Sequence, residues 1–135
     1  MTEDAEREVL DAAAGVVAAF GSHDTAAYFA GFRTDATFVF HTSPEPLRSR
    51  ADYERLWASW EEDGFHVLGC TSSEQHVQLL GDRADVAVFT HRVATRLRPG
   101  ADADEEVLDE RETIVFVRDG DRWLAVHEHL SAVPA

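Results

Sequence analysis

The stretch that decides the fold is residues 122–131, RWLAVHEHLS. Apolar and polar side chains alternate along it, as expected of a β-strand whose two faces differ. The dipeptide Asp119-Gly120 just before it is typical of a hairpin turn. We therefore predict the last strand of a curved sheet, with the rest of the chain packed around it. Its two histidines and one glutamate make it the first place to look for a functional site.

Length, charge and composition narrow the classes of protein. The chain has 135 residues, which suits a single domain with its own core, and we take residues 1–135 as that domain. A net charge of −14 argues against nucleic acid and anionic membranes as partners, because both bind basic surfaces. No apolar run approaches the roughly 20 residues of a membrane helix, and residues 1–11 are unlike a secretory signal. We therefore expect a cytoplasmic protein. The absence of lysine is typical of a high-GC bacterial genome.

Apolar residues at helical spacing predict three helices in the first half of the chain. Thr2 can cap the first, which Gly21 ends. Asp24 is the expected cap of a short second helix. Ser49, followed three residues later by Asp52, resembles a capping box and opens the third.

The second half of the chain changes to the period of strands. Strands are predicted at 36–41, 65–80 (one strand or a bent pair, with a break at 71–74), 84–97, 107–118 and 122–131. The order predicts an α+β architecture, with three N-terminal helices packed on a strongly curved, mixed or antiparallel sheet. Such a sheet leaves a conical hollow against the helices, which suits a small molecule.

Alternation sorts the side chains of the last three strands into two faces. One face carries Thr90, Arg92, Arg111, Thr113, Val126, Glu128 and Leu130. The other carries His91, Glu112, Trp123, Ala125, His127, His129 and Ser131. Because neither set is a simple polar exterior, we predict that one face meets the helices and the other a second copy of the chain. A shift of one residue in the long strand would exchange Arg92 for His91.

Several residues together resemble the NTF2-like superfamily, and within it the SnoaL-like domains. They are Tyr28 shortly after Asp24, the strand Arg111-Glu112-Thr113, Trp123, and His127-x-His129-x-Ser131. The chain is also distantly similar to the association domain of calcium/calmodulin-dependent protein kinase. The superfamily includes isomerases, dehydratases, cyclases, epoxide hydrolases and non-enzymatic binding or assembly domains, so the resemblance bears more on fold than on activity.

The resemblance implies a conical pocket between the concave face of the sheet and the helices, with homodimers formed through the convex face. It implies that the pocket face is the one with Thr113 and Leu130, and that Tyr28 is a pocket tyrosine.

On that face Glu128 lies between apolar neighbours, which would raise its pKa and suit a general acid or base. An ion pair with Arg111 or Arg92 that merely satisfies both charges is the alternative. The arginines could also hold a carboxylate or enolate of a substrate. Tyr28 could donate a hydrogen bond to a carbonyl or simply pack in the core. The candidate catalytic residues are therefore Glu128, Arg111 and Tyr28.

A further set of residues could contact a ligand without taking part in chemistry. It comprises Trp57, Thr90, Arg92, Thr113, Val126 and Leu130. Trp57 is as well suited to filling the core.

His127 and His129 project together from one strand, and with Glu112 or His91 they could ligate a metal ion. Hydrogen-bonded histidines at a dimer face are the interpretation we prefer. We therefore predict neither a metal nor a cofactor.

Two functions from different classes fit these residues. The first is a homodimeric small-molecule-binding protein that catalyses cofactor-free isomerisation, dehydration or cyclisation of a carbonyl-containing metabolite. The second is a non-catalytic binding or assembly module. A pocket in which Glu128 is free of Arg111 favours the first, and a closed ion pair between them favours the second.

Overall fold

The computed structural model describes residues 2–135 apart from the side chain of Thr2, so the cap predicted for Thr2 lies outside the described part of the chain. Within those residues, three helices pack on an open five-stranded sheet. This arrangement confirms the predicted α+β class. None of these three helices is both long and apolar enough to cross a membrane.

Side-chain caps set the starts of the second and third helices. The helices are α1 (Thr2–Gly21), α2 (Thr25–Ala30) and α3 (Arg50–Glu62). The Asp24 carboxylate accepts a hydrogen bond of 3.2 Å from the Ala27 amide. The Ser49 hydroxyl accepts one of 3.1 Å from the Asp52 amide. Each bond satisfies an amide that has no partner inside the helix, so both predicted caps are confirmed.

The sheet is mixed, and the last strand lies inside it. The strands are β1 (Phe32–Phe40), β2 (His66–Leu80), β3 (Val86–Arg98), β4 (Glu106–Asp119) and β5 (Arg122–Ala132). Their spatial order is β1-β5-β4-β3-β2, and all neighbours are antiparallel except β1 and β5, which are parallel. The break predicted at 71–74 is an irregularity within continuous β2, where Glu74 has a φ of 53°.

β5 contains a bulge that changes which face its side chains occupy. His127 lies opposite Val115, but Ala125 lies opposite Phe116, so Val126 is an extra residue on β5. Trp123 and Ala125, which precede the bulge, are therefore buried on the same face as Glu128, which follows it. The prediction placed Trp123 and Ala125 opposite Glu128, and this was wrong because strict alternation does not allow for a bulge.

The face assignments predicted for β3 and β4 were also wrong. Glu128 lies opposite Ile114, and residues opposite each other in a sheet point to the same face. Glu128 therefore shares the concave face with Ile114 and with the buried side chains of β3 and β4 that point the same way. These are Ala87, Phe89, His91, Val93, Thr95 and Leu97 on β3, and Glu110, Glu112, Ile114 and Phe116 on β4. Thr90, Arg92, Arg111 and Thr113 lie on the outer, convex face. Apolar residues occupy both faces of these strands, so alternation alone could not tell which face meets the helices.

Candidate functional site

A cavity of about 300 Å³ lies between the concave face of the sheet and the helices. Much of its wall is aromatic or aliphatic, which suits a ligand with an apolar body. The apolar lining includes Val16, Phe20, Phe40, Trp60, Phe65, Val93, Leu97 and Leu130. The polar side chains at the wall include Tyr28, Tyr53, Thr95, Glu110, Glu112 and Glu128.

Two buried carboxyl groups lie together at this wall. Glu112 on β4 and Glu128 on β5 project from neighbouring strands, and their side chains are hydrogen-bonded to each other. Burial raises the pKa of Glu128 well above its ordinary value, and the charge of Glu112 adds to the effect. Burial raises the pKa of Glu112 too, but the hydrogen bond from Glu128 opposes that rise. Since two carboxylates in contact cannot both ionise readily, the pair favours retaining a proton, and Glu128 is the group whose pKa is raised more strongly.

Two tyrosines from the helices form hydrogen bonds on the Glu128 side of the Glu112–Glu128 pair. The hydroxyl of Tyr28 on α2 donates to Oε1 of Glu128 at 3.3 Å. The hydroxyl of Tyr53 on α3 lies 2.9 Å from that of Tyr28. Burial raises the pKa of both phenols well above the ordinary value, and negative charge at the Glu112–Glu128 pair adds to the effect. Both therefore remain neutral hydrogen-bond donors.

His91 on β3 contacts the pair from the other side. Its Nε2 lies 2.6 Å from Oε1 of Glu112, and its Nδ1 lies 2.6 Å from the Ser72 hydroxyl. Burial lowers the pKa of His91 to about 4, so the ring is neutral at physiological pH. The contact is thus a hydrogen bond between a neutral imidazole and a carboxylate, rather than an ion pair.

Two further groups on the cavity wall are Glu110 and Cys70. Nε2 of His41, which follows β1, is 2.5 Å from Oε2 of Glu110. Burial raises the pKa of the Cys70 thiol to about 11, which keeps the thiol protonated and unreactive.

The structure places three of the predicted site residues at the cavity. Glu128, Tyr28 and Leu130 line it. Neither alternative ion pair of Glu128 is formed: Arg92 pairs with Asp109 at 2.9 and 2.5 Å, and Arg111 is on the convex face.

The other predicted residues lie elsewhere. Arg111, Thr90, Arg92 and Thr113 line a separate hollow of about 650 Å³ on the convex face, because the faces of β3 and β4 are reversed from the prediction. Val126 is the bulge residue and does not line the cavity. Trp57 is buried among the helices, where its indole donates to the Thr25 hydroxyl at 3.1 Å. The prediction that these residues line the pocket between the sheet and the helices was therefore wrong.

Sequence reasoning did not identify Glu112, His91, Glu110 or Tyr53 as pocket residues. The one-residue shift considered for the long strand would have brought His91 to the pocket, and the β3–β4 pairing then brings Glu112 with it. Tyr53 falls in the apolar stripe of α3, where nothing in the pattern separates a core tyrosine from a functional one.

The paired histidines of β5 lie on the convex side of the sheet. Nδ1 of His127 is 2.8 Å from the Thr37 hydroxyl. Burial lowers the pKa of His127, and the nearby His129 adds to the effect. Across residues 2–135, no cluster of three histidine, cysteine, aspartate or glutamate side chains is arranged to hold a metal ion.

The raised pKa of Glu128 makes stability depend on pH. The unfolded chain releases the Glu128 proton near pH 4.5, whereas the folded pair keeps it to a higher pH. Between those values the folded state binds more protons, so its stability falls as the pH rises, by up to about 1.4 kcal/mol per pH unit. We expect Glu128→Gln to remove most of this slope in urea unfolding measured from pH 5 to 8.

The control is Glu106→Gln, at an exposed position on the cavity rim, which reports the effect of removing one negative charge. Equal slopes for Glu128→Gln and the wild type would show that the pair does not hold a proton in the folded state.

Comparison with known proteins identifies the family. The SnoaL-like domain model matches residues 9–135. No curated protein matches the sequence.

Solved structures show the same fold at low sequence identity. An NTF2-like superfamily protein from Salmonella enterica serovar Typhimurium has a TM-score of 0.82 and 13% identity, covering 100% of this chain and 95% of that one. A ketosteroid isomerase-like protein from Erwinia carotovora atroseptica has a TM-score of 0.78 and 15% identity, covering 96% of each chain. A protein from Xanthomonas campestris, provisionally assigned as a calcium/calmodulin-dependent protein kinase II association domain, has a TM-score of 0.77 and 22% identity, covering 95% and 87%. The chain therefore belongs to the SnoaL-like domain family and has the NTF2-like fold.

Proposed function

We propose that the chain acts as a single domain that binds a small, largely apolar metabolite and catalyses cofactor-free proton transfer next to a carbonyl group. Isomerisation, dehydration and cyclisation are the reactions of this class. The observation that carries the proposal is the placement of two buried carboxyl groups, Glu112 and Glu128, on neighbouring strands at the wall of an apolar cavity. A solved structure of the same fold is named ketosteroid isomerase-like, which supports this class of chemistry.

Each group of the pair has a distinct task in this chemistry. The Glu112 carboxylate removes a proton from the carbon next to the carbonyl, and the C–H electron pair becomes the C=C bond of an enol. The carbonyl oxygen takes the proton of Glu128, while the Tyr28 hydroxyl stabilises the developing charge on that oxygen. Return of the enol proton to Glu128, with transfer from Glu112 to a carbon, restores both groups. A carboxylic acid kept neutral by burial is suited to the donor role.

The cavity disfavours anionic ligands. Its described lining contains neither arginine nor lysine, while Glu106, Glu110, Glu112 and Glu128 are all part of it. A ligand carboxylate would be brought next to the buried charge of the pair at a high electrostatic cost. The predicted use of Arg111 and Arg92 to hold a substrate carboxylate finds no support in this geometry.

The second candidate, a non-catalytic binding or assembly module, also has an observation in its favour. In the described part of the chain, every buried polar side-chain atom has a hydrogen-bond partner. A purely structural network would have this property too. The exchange experiment below separates the two candidates.

We also propose that the convex face forms a homodimer. Val88, Val115 and Leu124 are half-buried there in the isolated chain, beside the hollow that contains Arg92 and Arg111. A second copy would cover these apolar side chains. The cytoplasmic location expected from composition stays a prediction.

Ligand charge should decide binding. We expect phenylacetone, a neutral ketone, to raise the melting temperature at pH 7.5 by several degrees at saturating concentration, and phenylacetate to leave it unchanged. Leu130→Trp fills the cavity and should abolish the shift, whereas Val107→Trp, at an exposed position, should retain it. Equal shifts from ketone and acid, or a shift that survives in Leu130→Trp, would contradict the proposed binding site.

Proton abstraction can be measured without the natural substrate. We expect the protein to accelerate deuterium incorporation at the methylene carbon of phenylacetone in D₂O, followed by proton NMR. Glu112→Gln should lower the protein-dependent rate by about 10²–10⁴-fold, because it removes the general base. Glu106→Gln is the matched control on the rim. Exchange at the same rate in Glu112→Gln and the wild type would favour the non-catalytic candidate.

The dimer should be visible by light scattering at micromolar concentration, with a mass twice the 15.0 kDa of the chain. Val115→Arg, on the convex face, should give a monomer because it would bury an unpaired charge between the copies. Ala26→Arg, on the exposed side of α2, should remain dimeric. A wild-type mass of one chain would refute the dimer.

A further inference from the structure

A series of hydrogen bonds leads from β2, at the edge of the sheet, through His91 on β3 to Glu112. Nε2 of Gln75 donates to Oγ of Ser72 at 2.9 Å. Having accepted this bond, the Ser72 hydroxyl keeps its own proton free to donate to Nδ1 of His91, which lies 2.6 Å away. With Nδ1 accepting, the ring proton is on Nε2, which lies 2.6 Å from Oε1 of Glu112.

A second set of donors approaches from the helices. Tyr53 and Tyr28 are joined through their hydroxyls at 2.9 Å, and Tyr28 donates to Glu128 at 3.3 Å. Glu128 in turn shares its hydrogen bond with Glu112. Both series of hydrogen bonds therefore end at Glu112, which acts only as an acceptor.

We propose that His91, oriented by Ser72, is a positioning residue that keeps the negative charge on Glu112 and the proton on Glu128. The proposal rests on the proposed function only for its catalytic consequence, since the protonation states exist without substrate. Its physical basis is that a hydrogen bond to an ionised acceptor is stronger than one to a neutral acceptor. A short donor contact to Glu112 therefore favours ionisation of Glu112 over that of Glu128, whose phenol contact is longer.

Burial acts on both carboxyl groups of the pair, whereas the hydrogen bond from His91 contacts Glu112 alone. The groups that face its ring are Glu112 on β4, Glu128 on β5, Ser72 on β2 and the ring of Phe89 on its own strand. Glu110 acts on Glu112 from the same strand. Besides the hydrogen bond from Glu128, the donor that contacts Glu112 is thus the Nε2–H of His91.

This placement orients the ligand. Because the proton is on Glu128, beside the Tyr28 hydroxyl, a carbonyl oxygen is received at that end of the pair. Because the charge is on Glu112, the C–H bond to be broken faces β4. If Glu112 carried the proton and Glu128 the charge, Glu128 would be the base and Glu112 the acid. The preferred ligand would then bind in the reverse orientation.

The test is ¹³C NMR of the intact protein labelled at the glutamate carboxyl carbons, with Glu112→Gln and Glu128→Gln used to assign the two signals. In the wild type at pH 7 we expect an ionised Glu112 and a protonated Glu128. His91→Leu should move the proton onto Glu112, or raise the pH at which the pair first ionises by about one to two units, the size of a hydrogen bond to a charged group. His91→Gln, which can both donate to Glu112 and accept from Ser72, should titrate like the wild type.

Ser72→Ala provides a milder variant should His91→Leu fail to fold, because Ser72 is only half-buried. It should shift the titration in the same direction as His91→Leu but by less. The proposal is overturned if Glu112 is the protonated group in the wild type, if neither His91→Leu nor Ser72→Ala changes the titration, or if His91→Gln behaves like His91→Leu. A protonated Glu112 in the wild type would exchange the base and acid roles of the pair. The ligand-induced melting shift and the exchange rate of the wild-type protein are measured separately, so failure here is distinct from failure of the proposed function.

Discussion

The structure depends on two carboxyl groups, Glu112 and Glu128, that are buried side by side beneath the helices. Two ionised glutamates in contact under three helices would cost several kcal/mol each, which is comparable to the net stability of a domain this size. Sharing a proton removes one charge, and hydrogen bonds stabilise the other. The donors come from α2, α3 and β3, so the same bonds that satisfy the carboxyl groups also fix the helices against the sheet. The residues proposed to carry out catalysis thus also hold the helices against the sheet.

The bulge in β5 makes that pair possible. Without the extra residue Val126, Trp123 and Glu128 could not both face the helices. The bulge lets one strand supply core packing at its start, where Trp123 donates to Glu8 of α1 at 3.1 Å, and a functional carboxyl group further along. A strand that supplies both within a few residues needs a local break in the alternation of its side chains between the two faces. Bulges next to functional sites are a common means of achieving this.

The sequence allowed the fold to be predicted well and the site only in part. Periodicity, the caps Asp24 and Ser49, and the family resemblance were sufficient for the architecture, because each is local or covers the whole chain. Glu128, Tyr28 and Leu130 were identified because β5 and α2 carry distinctive residues. Glu112 and His91 were missed because β3 and β4 are apolar on both faces, so their orientation is decided by pairing with β5 beyond its bulge. A single extra residue reversed the inferred role of every polar side chain on two strands.

The parallel pairing of β1 with β5 has a consequence for how the molecule forms. Phe38 lies opposite Glu128, so the strand that follows α2 is completed by the last strand of the chain. During synthesis β1 has no partner on that side until β5 has left the ribosome, and the helices have no complete sheet to pack on. Closing such a long loop is slow compared with forming the β3–β4 hairpin. The cavity is consequently among the last features to assemble, and a chain that stops short of β5 would expose the aromatic side chains of β1 and α3 to other chains.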